Sequence, residues 1–97
     1  MLATVGTSAV TLVAGTSGAS SSYPNNMGIQ LIAPSTNSGN LFIGKTSGVL
    51  ASGATTAGLI LEPGKSMLIP PSYATDANVL YLIGDAASQL VYWDTVK

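Results

Sequence analysis

Runs of Val, Ile, Leu and Tyr in this chain are short. Ser, Thr, Gly, Asn or Pro interrupts each one before it reaches helical length. β-Branched and aromatic residues suit a pleated, half-buried surface, and the interrupting residues suit turns. The pattern predicts an all-β fold, a small antiparallel β-sandwich, jelly-roll-like fold or barrel of seven to eight short strands. The 97 residues are expected to form a single β domain over 1–97, with residues 1–8 as an extended N-terminal arm. A chain of this size buries roughly two-thirds of its unfolded surface, enough for one modest core.

The first strand is expected over Thr7 to Ala14, with Val10, Leu12 and Ala14 on one face. A polar loop, 15–26, follows, and Tyr23-Pro24 fixes its end because a residue before proline is pushed to extended geometry. In the next strand Met27, Ile29, Leu31 and Ala33 point one way, and Gly28, Gln30 and Ile32 the other. Residues 34–40 read as a hairpin connection with Gly39 left-handed. Strands over 40–45, 57–62, 65–69, 79–84 and 90–96 complete the set, with a short one at Val49-Leu50. Asp85 to Ser88 is expected as a single turn.

The stretch "GLILEPGKSMLIPP", 58–71, carries the sharpest local signal. Pro63 pre-sets the second position of a turn and Gly64 supplies the positive φ of a type II turn. Such a turn does not match the twist of a tight hairpin. A wider loop or corner is expected, with Glu62 and Lys65 in water. Pro70-Pro71 stops the second run. Leu59-Ile60-Leu61 and Met67-Leu68-Ile69 are apolar at every position, although a strand with one face in water should alternate. Something must cover their second face.

Composition removes most chemistry. There is no Cys and no His, hence no disulfide, no thiolate, no imidazole base and no Cys- or His-based metal site. Three Lys residues and a net charge of −1 make no basic patch for nucleic acid. No apolar run reaches the roughly 20 residues of a membrane helix. "AVTLVAG" lacks the basic residues that precede a secretory core, so no signal peptide is expected. Glu62, Asp76, Asp85 and Asp94 show no spacing that pairs them for acid–base work, and Glu62, Asp76 and Asp85 fall in turn segments. Gly44-Lys45-Thr46 lacks the glycine spacing and the helix of a phosphate loop. No catalytic residue, metal site or cofactor is expected.

"YWD", 92–94, is the one constellation suited to a ligand. An aromatic ring beside a carboxylate can stack on a sugar and bind its hydroxyls, so Tyr92, Trp93 and Asp94 are candidate glycan-binding residues. Alternation sends the two rings to opposite faces. The competing reading has one ring plugging an end of the fold.

From residue 39 onward the chain resembles small virion proteins of tailed phages, of the capsid decoration or cement type. The matching pieces are Asn40-Leu41-Phe42-Ile43-Gly44, Gly58 to Ile69, Leu80 to Gly84 and Leu90 to Trp93. They cover about half to two-thirds of the chain, and the first 26 residues lie outside them. The resemblance implies a compact all-β protein without enzymatic activity. It also implies a homotrimer bound to the major capsid protein at quasi-three-fold positions on the outer capsid surface of the virion.

Composition adds a separate argument for association. Charged residues make up 7% of the chain, against about 25% in typical globular proteins, and scarce surface charge favours association. The expected oligomer or capsid interface draws on Leu59, Leu61, Met67 and Ile69, with Ile32 and Leu82. In the alternative the 15–26 loop covers these strands within one chain. Two other function classes fit the same sequence: a phage tail or fibre component, and a glycan-binding β-sandwich module. Residues 1–8 and the 15–26 loop are the expected shell contacts.

Overall fold

The computed structural model describes residues 1–51 and 59–96. Eight strands run through it: β1 Leu2–Val5, β2 Val10–Thr11, β3 Ile29–Ile32, β4 Leu41–Gly44, β5 Leu59–Leu61, β6 Ser66–Ile69, β7 Tyr81–Gly84 and β8 Gln89–Thr95. Among the described residues the helical content is one 3-10 turn, Ala77–Val79. The strands form two antiparallel sheets, β1-β8-β3-β6 and β2-β7-β4-β5. Every connection between consecutive strands changes sheet except β4 to β5. That order is the jelly-roll form of the sandwich, with two open sheets rather than a closed barrel.

Alternation sorts the side chains. From β8, Gln89, Val91 and Trp93 point inward, while Tyr92 and Asp94 point out. Leu31 of β3 lies opposite Trp93, and Ile43 of β4 lies opposite Leu82 of β7. Ala3, Val5, Ile29, Leu41, Leu61, Ile69 and Leu80 fill the space between the sheets. The register of β3 follows the sequence pattern at Ile29, Leu31 and Ala33. Met27, expected inside, is 63% exposed. The cause is Gly28, whose φ of +126° breaks the alternation. A Cβ on Gly28 would lie 2.7 Å from Leu68 Cδ1.

Two expectations about the N-terminal third give way. Residues 1–8 are not an arm, because Leu2–Val5 pairs along β8 as an edge strand with Ala3 and Val5 buried. The expected strand over 7–14 shortens to Val10–Thr11. There the Thr11 hydroxyl accepts the Ala14 N–H (3.0 Å) and the Thr11 carbonyl accepts the Gly15 N–H (3.0 Å). Local bonds of this kind compete with a ladder. They bend the chain, so Leu12 is buried and Ala14 exposed.

Connections differ as well. Segment 34–40 crosses between sheets rather than closing a hairpin. Gly39 is not left-handed; an added Cβ would overlap the Asp85 carboxylate. Val49 lies in a turn closed by its own N–H to Thr46 O (3.2 Å), not in a strand. The 62–65 joint is the expected corner: Gly64 has φ +79°, and Lys65 N–H donates to Glu62 O (3.1 Å). It carries the chain from β5 in one sheet to β6 in the other, with Glu62 and Lys65 exposed.

Gly64→Val forces a β-branched residue into the left-handed region. It should destabilise the fold by about 1–3 kcal/mol, read as a lower midpoint in urea denaturation with an unchanged slope. An unchanged midpoint would remove the turn assignment.

Candidate functional surface

The ends of the sandwich are closed by side chains that hold loops in place. At one end Trp93, 2% exposed, fills the gap between the sheets. Its Nε1–H donates to Thr16 Oγ1 (2.8 Å), and the Thr16 hydroxyl donates to Leu12 O (2.8 Å). The Tyr23 ring meets the indole edge to face at 5.2 Å. Trp93 is therefore the plug, and the 15–26 loop is its lid.

Asp76 fixes the tip of that loop. One carboxylate oxygen accepts from Tyr23 N–H and Asn78 N–H (both 2.9 Å), and the other accepts from the Ser22 hydroxyl. Partial burial works to raise its pKa. The bonds from Ser22, Tyr23 and Asn78 outweigh that and hold it below the ordinary carboxylate value. Asn25 completes the lock: its amide donates to Ile69 O and Ala74 O, and its Oδ1 accepts from Gly28 N–H.

The opposite end is stitched the same way. The Asn37 amide bonds both backbone groups of Leu90, at 2.8 and 2.9 Å, where the β3–β8 ladder has run out. Buried Gln89 accepts from Gly39 N–H (2.9 Å) and donates to Ser38 Oγ and Ala87 O. Asp85 accepts from Asn40 N–H (2.9 Å). These polar groups are occupied by the fold.

The outer faces of the two sheets differ. On the β2-β7-β4-β5 sheet, Phe42 and Ile83 point outward but are covered by Val49, Ala51 and Ala9. The cover is the segment after β4 together with Ala9 from the β1–β2 connection, not the 15–26 loop. On the β1-β8-β3-β6 sheet, Leu2, Ile32, Leu68 and Tyr92 remain 42–51% exposed. Tyr92 lies opposite Leu2 on one side and Ile32 on the other. A shallow depression of about 200 Å³ opens here, lined by Met1, Gln30, Ile32, Tyr92, Trp93 and Asp94.

The expected interface set divides accordingly. Leu61, Ile69 and Leu82 are at most 1% exposed, so they belong to the chain's own core. Leu59 and Met67 are half-buried against that core. Ile32 points out. The outward residues of the two greasy runs are Ile60 and Leu68, the middle residue of each run. A one-residue shift in facing exchanges the whole set, and nothing in an all-apolar run announces which face is inner.

Of the "YWD" candidates, Tyr92 and Asp94 share the outer face and Trp93 leaves for the core. Gln30 joins them from β3. Its facing was legible from Ile29 and Leu31, but its place opposite Asp94 required the β3–β8 register. Glu62, Asp76, Asp85 and Asp94 occupy four separate places: the corner, the 3-10 cap, the β7–β8 turn and β8. Among the described residues no three acidic groups converge on a metal position, and no helix is long and apolar enough to cross a membrane. No protein-family model, curated protein or solved structure matches the chain.

Two measurements test the lid. Thr16→Val leaves the buried indole N–H without an acceptor, so it should cost about 1–3 kcal/mol of stability, followed by Trp93 fluorescence during denaturation. Asp76 is held below its unfolded pKa. Its contribution is full above about pH 4, the unfolded value, and is lost as pH falls through the lower folded value. Asp76→Asn should therefore be less stable near neutrality, with the gap to the native chain closing in acid. Parallel melting curves across that range would exclude the role.

Proposed function

We propose that this chain is a non-enzymatic structural protein of the virion that binds and stabilises a tailed-phage head as a capsid decoration or cement protein, acting as a homo-oligomer, a trimer by resemblance. The reading assigns it no catalysis and no cofactor. The partners are the major capsid protein and further copies of the chain, on the outer capsid surface.

One observation carries the reading. Ile60 and Leu68 are 50% and 51% exposed, on the edge strands β5 and β6 that meet at the 62–65 corner. That edge offers apolar side chains on both outer faces, and the chain has few charges with which to stay apart from its neighbours. Edge-to-edge strand pairing is blunted on β6 by Lys65 before it and Pro70-Pro71 after it. On β6 that leaves contact through side chains. The 15–26 loop, with Ser17, Ser20, Ser21 and Ser22 exposed, supplies a polar rim. Each contact is small, but linked copies bind a repeating shell with avidity.

The test is to strip the protein from virions genetically and add the purified chain back. Rebinding to heads, with a higher temperature or osmotic shock survived, supports the decoration role. Electron microscopy that places the rebound protein on tails transfers it to the tail or fibre class. Absence of rebinding ends the virion reading. Leu68→Asp and Ile60→Asp should fold, since both side chains are exposed, yet dissociate the oligomer. An unpaired charge buried in an interface costs about 3–5 kcal/mol.

A further inference from the structure

We propose that the outer face of the β1-β8-β3-β6 sheet carries a binding site for a single neutral pyranose sugar, seated against Tyr92 and hydrogen-bonded by Asp94 and Gln30. The proposal goes beyond shell binding and does not rest on it.

Register builds the site. Tyr92 and Asp94 are two residues apart on β8 and so lie side by side on one face. Ile32 sits opposite Tyr92, and Gln30 sits opposite Asp94. The result is a four-residue array, apolar in one row and polar in the next. A pyranose has the same division: one face of C–H groups and a rim of hydroxyls. The depression holds about 200 Å³, below the roughly 300–1,000 Å³ of pockets that take drug-sized molecules, which suits one ring.

The available hydrogen-bond capacity narrows the ligand further. Asp94 uses one oxygen on the Thr95 N–H (2.8 Å), and its other oxygen takes no partner among the described residues. The half-buried Gln30 amide takes no partner among the described residues, and no buried polar atom there is left unsatisfied, so it faces water. A wholly apolar occupant would strip that water from both groups and return nothing. The Asp94 carboxylate disfavours an anion, and the positive group in the lining, the Met1 ammonium, is already engaged by Trp93 O (2.6 Å). A neutral polyol donates O–H groups to both acceptors while its C–H face covers the ring. Trp93 takes no part as a stacking surface, because its ring is inside.

The experiment is a titration of the full chain with methyl pyranosides of glucose, galactose, mannose and N-acetylglucosamine, followed by backbone amide shifts. At least one sugar should move the amides of Gln30, Ile32, Tyr92 and Asp94 in the millimolar range. Tyr92→Ala should weaken that binding about tenfold, as the loss of one aromatic contact, while Tyr92→Phe keeps most of it. Asp94→Asn should weaken it with the melting temperature unchanged, since Asp94 is exposed. Leu68→Asp should leave it intact, which separates this site from the protein-contact edge. Shifts elsewhere on the surface, no shift with any of the four sugars, or a Tyr92→Ala variant that binds equally well would overturn the proposal. So would an oligomer that Tyr92→Ala dissociates, because the face would then belong to a second copy.

Discussion

The indole of Trp93 sets the terms for much of this molecule. It is the largest side chain in the sequence and lies between the sheets with one N–H to satisfy. Thr16 accepts from that donor and donates its own O–H to Leu12 O, which ties the turn after β2 to β8. Tyr23 then closes over the ring. Asp76 and Asn25 hold the loop that carries Tyr23. A chain without disulfides thus gains cross-links between segments far apart in sequence, each made from a few hydrogen bonds around one buried aromatic. Such bonds add about 1 kcal/mol each when made and cost more when half-broken.

Facing is the second constraint. Two sheets bury one face each against the other, and the remaining two faces must meet water, loop or partner. This protein solves them differently. Phe42 and Ile83 on one outer face are roofed by the segment that follows β4 together with Ala9. The other outer face keeps Leu2, Ile32, Leu68 and Tyr92 open. Ile60, at the edge of the roofed face, stays exposed as well; protein contact at the Ile60–Leu68 edge and a sugar at the Tyr92 depression are the proposed uses of these open surfaces.

Much of the fold was legible in the sequence, for a definite reason. Turn chemistry and period-two alternation are local, so the corner at Pro63-Gly64, the stop at Pro70, the facing of Ile29 and Leu31 and the opposite facing of Tyr92 and Trp93 could be read without knowing what packs on them. Facing within "LIL" and "MLI" could not, because an unbroken apolar run has no polar member to mark the outside. Leu61 and Ile69 went inward and Ile60 and Leu68 outward. Leu2–Val5 was missed because the run is only four residues long and its partner, β8, lies at the other end of the chain. Gly39 shows the same limit: its need for a glycine comes from Asp85, a residue distant in sequence that only tertiary structure brings close. The Gln30–Asp94 pairing has this long-range character too. Sites on sheet faces are assembled by register, and register is a property of two strands at once.

The central claim is that the Ile60–Leu68 edge left open by the fold is completed by other protein. Sedimentation velocity on the purified, unmodified chain at tens of micromolar tests it most directly. The account predicts one oligomeric species that dissociates on dilution without unfolding. A single monomeric boundary across the whole concentration range would contradict it.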